Sequence, residues 1–240
     1  MKTALITGSG SGIGLAIATR LLKDHYRVIG HCHSLSPGLA QLKAAYADSL
    51  YLSQKDFSQP ATVESLWEEI ETAHHGVDIL INNAAIIPDP APIESLSEKA
   101  LDEALNINLK VPFLLAQRVL PWMMSNRWGR IINISSIGLK FGGGRQTAHY
   151  AISKAALETL SDCLHRVCCP YNILVNTVRV GVTNTKMHAS VPTKNLEERI
   201  SLIPLKRMAE PSEIANAICF LISEESSYIA GSTLTVAGGE

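Results

Sequence analysis

The sequence predicts an α/β fold, doubly wound around one seven-stranded, mostly parallel sheet, and three observations predict it. Short apolar, β-rich runs recur at 4–6, 27–30, 49–52, 77–81, 130–134, 173–178 and 233–236. Longer stretches with helical apolar spacing lie between them. No Pro/Gly/Ser-rich linker interrupts the chain, so residues 1–240 read as a single domain. Strand–helix alternation demands right-handed crossovers, which make the strands parallel and put helices on both faces.

The first strand, 4–6, runs directly into a glycine loop. A helix over 14–23 follows, with Leu15, Ala18, Leu21 and Leu22 as its apolar positions. After the run at 130–134, residues 155–167 place Leu157, Leu160 and Leu164 on one helical face. The least regular stretch, 181–204, joins the sixth strand to the last helix. Pro211-Ser212-Glu213 opens that helix through Leu221, with the proline where a missing N–H costs little. The strand at 233–236 closes the sheet.

Composition excludes several function classes. With 46% hydrophobic and 18% charged residues, the chain matches a globular domain rather than a disordered one. A formal net charge of −1 gives no electrostatic basis for binding nucleic acid or an anionic membrane. No stretch approaches the ~18 apolar residues of a membrane span. The five cysteines, Cys32, Cys163, Cys168, Cys169 and Cys219, include no C-x-x-C pair, which argues against a disulfide framework or zinc site. Cys168-Cys169 reads as helix-end packing, with a redox switch as the alternative. These features predict a reduced, cytoplasmic protein.

The loop Thr7-Gly8-Ser9-Gly10-Ser11-Gly12-Ile13-Gly14 carries the first functional signal. Glycines at a strand–helix turn accept positive φ and let backbone approach a phosphate without a Cβ clash. The helix N-terminus then offers free N–H groups to a pyrophosphate. The spacing is G-x-x-x-G-x-G, which resembles the short-chain dehydrogenase/reductase family in its single-domain branch. That resemblance implies a Rossmann-like domain with Gly8, Ser11, Gly12, Ile13 and Gly14 around the cofactor. It extends to Asn82-Asn83-Ala84-Ala85, similar to an element on the adenine-ribose side, and to Asp56-Phe57, where the family's Asp caps the adenine ring. A solvated turn residue is the alternative for Asp56.

At the end of the second strand, His31-Cys32-His33-Ser34 lacks the carboxylate that dinucleotide folds selecting NAD place on the ribose 2′-OH. Cys32 reads as occupying the acidic slot. The family's usual Arg or Lys partners are absent as well, and Ser11 and His33 stand at their places. His33 and Ser34 can hydrogen-bond a 2′-phosphate, so NADP(H) is favoured over NAD(H). His31 and His33 share a strand face but have no third partner, so no metal site is expected.

Tyr150-Ala151-Ile152-Ser153-Lys154 sets a phenol and an ammonium four residues apart on one helical face. A neighbouring cation is expected to lower the phenol pKa toward the working range. Upstream, a strand ends in Ser135-Ser136. The resemblance implies that the second serine, Ser136, hydrogen-bonds the substrate oxygen, with Ser135 as the alternative. It also implies that Asn108 helps hold a water near the lysine, and that Lys154 holds the nicotinamide ribose. Gly181, Thr183 and Thr185 fall where relatives contact the nicotinamide carboxamide, with Val180 replacing a proline. Residues 184–204 read as a substrate lid.

In motif order the chain is most similar to 3-oxoacyl thioester reductases, which implies a small carbonyl or alcohol substrate carried as an acyl thioester. Arg127 and Arg130 are candidates to meet an acidic carrier, while Tyr171 stands where a second basic residue is expected. NAD-linked alcohol, sugar or steroid dehydrogenases are the alternative within the family. A catalytically silent dinucleotide-binding regulator is the alternative outside it. Enoyl reductases of the superfamily space their Tyr and Lys further apart. The resemblance implies a tetramer or dimer, with Leu114, Leu115, Val119 and Trp122 facing either a symmetry mate or the chain's own sheet.

Overall fold

The computed structural model describes residues 1–59, 61–74, 76–187, 191 and 195–240. Seven strands form one sheet: β1 (Thr3–Ile6), β2 (Arg27–Cys32), β3 (Leu50–Gln54), β4 (Ile79–Asn82), β5 (Gly129–Ser136), β6 (Ile173–Val180) and β7 (Thr233–Val236). Their order is β3-β2-β1-β4-β5-β6-β7, and every neighbouring pair is parallel. The expected fold is thus observed, and the sheet is wholly rather than mostly parallel.

Helices cover both faces because the strands are apolar on both sides. On one face lie α1 (Gly12–Lys23), α2 (Pro37–Ala45) and α8 (Pro211–Ile222). Ile17, Leu21, Leu39, Ile214 and Ile218 pack there against Ala4, Ile6, Ile79 and Ile132. On the other lie α3 (Thr62–Ala73), α5 (Val111–Ser125) and α6 (Ala148–Cys168), where Leu66, Ile70, Leu115 and Val119 meet Leu5, Leu80 and Ile131. Leu115 and Val119 therefore face the chain's own sheet, and Leu114 packs partly buried against the same cluster. Trp122 leans on Asp78 through its indole N–H (3.3 Å). This apolar set is not a free assembly face.

Several elements outrun their apolar signal. β2 continues through His31 and Cys32, and β6 through Val180, because parallel pairing with Ser53 and Gln54, and with Ser136 and Val236, carries the backbone on whatever the side chains are. The irregular stretch contains a short helix, α7 (Leu196–Ser201), capped by the Asn195 side chain. Lid residues 188–190 and 192–194 lie outside the described residues. Between α4 (Glu98–Leu105) and α5, residues Asn106–Lys110 form one wide π-helical turn.

The winding direction reverses between β1 and β4. In a sheet of this kind the crevice opens beyond the carboxyl ends of the strands at that point. Among the described residues no helix is long and apolar enough to cross a membrane.

Candidate active site

A cavity of about 650 Å³ opens there. Its lining includes Gly8, Ser11, Gly12, Ile13, His33, Ser34, Asp56, Phe57, Asn83 and Ala84 at one end, and Ser136, Tyr150, Lys154, Gly181, Thr183 and Thr185 at the other. Two of the expected residues, Gly14 and Asn108, support the site from behind its wall.

The glycine loop is shaped by close approach. Gly8 sits at φ +68° and Gly12 at φ +51°, conformations that L side chains rarely adopt. A Cβ on Gly14 would lie 2.1 Å from the Gly8 carbonyl oxygen, so only glycine lets α1 start this close to β1. The Thr7 hydroxyl accepts from the amides of Asn83 and Ala84 (both 2.9 Å). In return the Asn83 side chain donates to the carbonyls of Thr7 and Gly8 (2.9 and 3.1 Å). Ser11, at the N-cap of α1, makes no side-chain hydrogen bond to the first turn. The amides of that turn are left uncapped beside the cavity, a cradle suited to a phosphate.

At the adenine-side end, His33 Nε2 lies 4.0 Å from the Asp56 carboxylate. The Ser58 amide holds the Asp56 carboxyl below its ordinary range. Phe57 is buried and stacks on His31, so it acts as backing. Cys32 is buried in the core, and burial pushes its thiol up. Its slot is neutral. Lys55 also lines this end, but its ammonium is held by Glu69 (2.5 Å) and Ser65 (2.7 Å). Among the described residues no group of three or more His, Cys, Asp or Glu is arranged to hold a metal.

The catalytic end is set by α6 crossing the end of β5. Ser136 faces Tyr150 closely enough to oppose the rise of its phenol pKa, and accepts from the Gly138 amide (3.1 Å). Ser135 turns away and donates to Glu158 (2.5 Å), which also holds Arg179 in a two-pronged ion pair. The serine meeting Tyr150 is therefore Ser136. Lys154 is buried and donates to the Ile134 carbonyl (2.7 Å), with its nitrogen 5.8 Å from the centre of the Tyr150 ring.

Burial, not the Tyr–Lys pairing, dominates the titration of both groups. It raises Tyr150 to about 12, opposed by the Ser136 hydroxyl, and lowers Lys154 to about 7. The expected depression of the phenol pKa by a neighbouring cation is thus reversed in the free protein, where burial raises the phenol and lowers the lysine.

Asn108, in the π turn, is fully buried. Its amide donates to the Ile86 carbonyl (3.0 Å) and Ser153 (2.9 Å) and accepts from the Ile86 amide (2.9 Å). Ser153 donates in turn to the Tyr150 carbonyl (2.8 Å). The asparagine thereby ties the loop after β4 to the helix bearing Tyr150.

Sequence reasoning missed two groups. One is a buried polar relay, Asn82 to Asn133 to Ser161, joined by Thr177, which links β4, β5, β6 and α6 below the catalytic end. The other is His31. The opposed Asn82 and Asn133 in paired strands were a legible signal for the first.

Comparison with known proteins agrees with this geometry. Residues 8–240 match a family model described as enoyl-(acyl carrier protein) reductase. The chain is 36% identical to 3-oxoacyl-[acyl-carrier-protein] reductase FabG of Escherichia coli (strain K12), covering 99% of this chain and 96% of the relative. It belongs to the short-chain dehydrogenase/reductase family. Among solved relatives, a protein from Beutenbergia cavernae described as an NAD(P)-dependent gluconate 5-dehydrogenase, with NADP bound at low occupancy, superposes with TM-score 0.90 at 32% identity, covering 99% of this chain and 96% of that one. A blue fluorescent protein from a metagenomic library, in complex with NADPH, superposes with TM-score 0.88 at 29% identity, covering 99% and 97%.

One expectation about partners is overturned. Arg130 is fully buried, stacked on Trp128 with 4.4 Å to the ring centre and 3.6 Å from Glu224. It cannot present a charge to a carrier. Arg127 is exposed and lies over the Tyr171 ring.

Proposed function

We propose that this chain is an NAD(P)(H)-dependent oxidoreductase that reduces a 3-oxoacyl thioester, with NADP(H) preferred. The observation that carries the reading is Ser136, Tyr150 and Lys154 converging at one end of a cavity whose other end is an uncapped glycine-loop cradle. The full-length match to a 3-oxoacyl reductase narrows the substrate class. The neutral Cys32 slot, with His33 and Ser34 beside it, supports the NADP(H) preference.

The residues divide the work simply. When bound, the dinucleotide supplies the hydride. Gly8, Gly12 and the first turn of α1 would hold its pyrophosphate, and Lys154 its nicotinamide ribose. The Ser136 hydroxyl donates a hydrogen bond to the substrate oxygen as charge develops there. Tyr150, protonated throughout the physiological range, donates the proton. Lys154, titrating at about 7, can return one to the phenolate at neutral pH. Asn108 fixes the Tyr150 backbone and the wall opposite it.

Thr185, Lys186, Met187 and Val191 line the cavity, which supports a lid role for the described residues of this stretch. A cytoplasmic location and a homo-oligomeric state complete the reading. Exposed Phe113 and Ile152, on α5 and α6, support assembly, and light scattering giving a monomer would refute it.

Titration with NADPH and NADH, followed by nicotinamide fluorescence, then NADPH oxidation with a short 3-oxoacyl thioester, tests the proposal. Tight NADPH binding with rapid turnover is expected. Tight NADH binding without thioester turnover would move the assignment to an NAD-linked alcohol, sugar or steroid dehydrogenase. A silent regulator would bind without turnover on any alcohol or ketone.

A further inference from the structure

His31 is a buried histidine at the adenine-side end of the cavity that the chemistry above does not use. It is 3% exposed, and its carbonyl and both ring nitrogens are engaged by the glycine loop and the segment after β3. Its carbonyl accepts from the Ser9 amide (2.8 Å) and the Ser9 hydroxyl (3.0 Å). Its ring Nδ1 lies 3.3 Å from the Gly8 amide nitrogen, and its Nε2 lies 3.1 Å from the Lys55 carbonyl. Phe57 stacks on the imidazole, with ring centres 3.8 Å apart and planes 16° apart.

The partners decide the tautomer. A carbonyl can only accept, so Nε2 carries the hydrogen, and an amide can only donate, so Nδ1 must present its lone pair. One neutral imidazole thus joins the glycine loop after β1 to the segment after β3, the two walls between which the adenosine half of a dinucleotide would sit. We propose that His31 is a positioning residue for the dinucleotide, holding the Gly8 turn open through its neutral Nδ1. The inference rests on the dinucleotide-binding reading above.

An imidazolium could not do this. A proton on Nδ1 would face the Gly8 N–H donor to donor, and Gly8 cannot simply back away: its φ is +68° and its carbonyl is held by Asn83. Desolvation keeps the ring neutral, pushing it down to about 4. Of the charged or titratable groups around it, His33 opposes protonation and Asp56 favours it. From the β3 side only the Lys55 carbonyl bonds the ring, the ammonium being held by Glu69 and Ser65. Gly8 and Ser9, on the remaining side, carry no titratable group.

Three variants separate positioning from packing. His31→Phe keeps the stack and burial but offers Gly8 no acceptor. His31→Asn places a carbonyl oxygen near the Nδ1 position, and His31→Gln restores only the donor to Lys55. The Kd for NADPH should rise about tenfold or more in His31→Phe and in His31→Gln, stay within about threefold in His31→Asn, and leave kcat at saturating cofactor unchanged. Equal affinity of His31→Phe and the parent overturns the inference alone. Parallel loss in His31→Phe and His31→Asn, tracking their unfolding midpoints, also overturns it. Failure of the parent to bind either nucleotide overturns the dinucleotide reading and this inference with it.

A measurement on the unaltered protein covers the case in which the variants do not fold. NAD⁺ lacks the 2′-phosphate that His33 would meet, so its Kd is free of that group's titration, and His31→Asn, which cannot take up the proton, serves as the control where it folds. The parent's Kd for NAD⁺ should rise at least about twofold as pH falls from about 6 to about 4, where the ring gains its proton. A flat profile would overturn the proposal.

Discussion

The two ends of the cavity are built from different materials. The glycine-loop end is mostly backbone: the Thr7, Asn83 and His31 side chains fix main-chain groups of residues 7–8 and 83–84, and Gly14 seats α1 against Gly8. The catalytic end is mostly side chain, with Ser136, Tyr150 and Lys154 held by one strand end and one helix. A backbone cradle tolerates no added atom, whereas a side-chain site keeps its shape when one functional group is removed. Substitutions at the two ends should therefore fail differently.

The largest effect is expected at the cradle. Gly14→Ala forces a methyl to 2.1 Å from the Gly8 oxygen, and should cost about 3 kcal/mol of stability and abolish measurable dinucleotide binding. Thermal unfolding and fluorescence titration check both losses. Ser136→Ala, at the other end, should lower kcat about 100-fold and leave the NADPH Kd within about twofold, read by steady-state kinetics and titration. Comparable losses of binding in both variants would erase the distinction.

A smaller effect sharpens it by pH. The folded-state pKa of Lys154 is depressed to about 7 from 10.5, so between these values the unfolded chain binds more protons than the folded one. The Lys154 contribution makes stability rise with pH across that window. Lys154→Met should remove this rise while abolishing turnover, as denaturant titrations at pH 7 and pH 10 would reveal. The smallest effect is expected outside both ends: Arg130→Met should leave the KM for a carrier-bound thioester within about twofold, because the guanidinium is buried.

Legibility from sequence followed the same division. The inner sheet was readable because parallel strands buried on both faces are continuous apolar runs, while the edge strand β7, only partly buried, still fell at an expected run. Gly8, Gly12 and Gly14 were readable because their reasons are local: a positive φ or a close approach within one turn. Tyr150 and Lys154 were readable from helical spacing only together with the serine pair upstream, Asn108 and the family resemblance. His31 was not, since its partners Gly8 and Lys55 meet it only through the register of three parallel strands. Nor was the choice between Ser135 and Ser136, which depends on which face of β5 looks toward Tyr150. The burial of Arg130 escaped because a basic residue in a polar-looking strand start reads as exposed until Trp128 and Glu224 are seen to cover it. The helix α7 escaped because six residues are too few for a periodic pattern.

On the proposed function, one cavity binds a nicotinamide dinucleotide at its cradle and transfers a proton from Tyr150 at its far end. Single-turnover oxidation of bound NADPH by a short 3-oxoacyl thioester, in the parent and in Tyr150→Phe, tests it most directly. The expected result is a rate lower by about 10²–10⁴ in Tyr150→Phe, with the NADPH Kd within about threefold of the parent. An unchanged rate in Tyr150→Phe, with NADPH bound equally well, would contradict it.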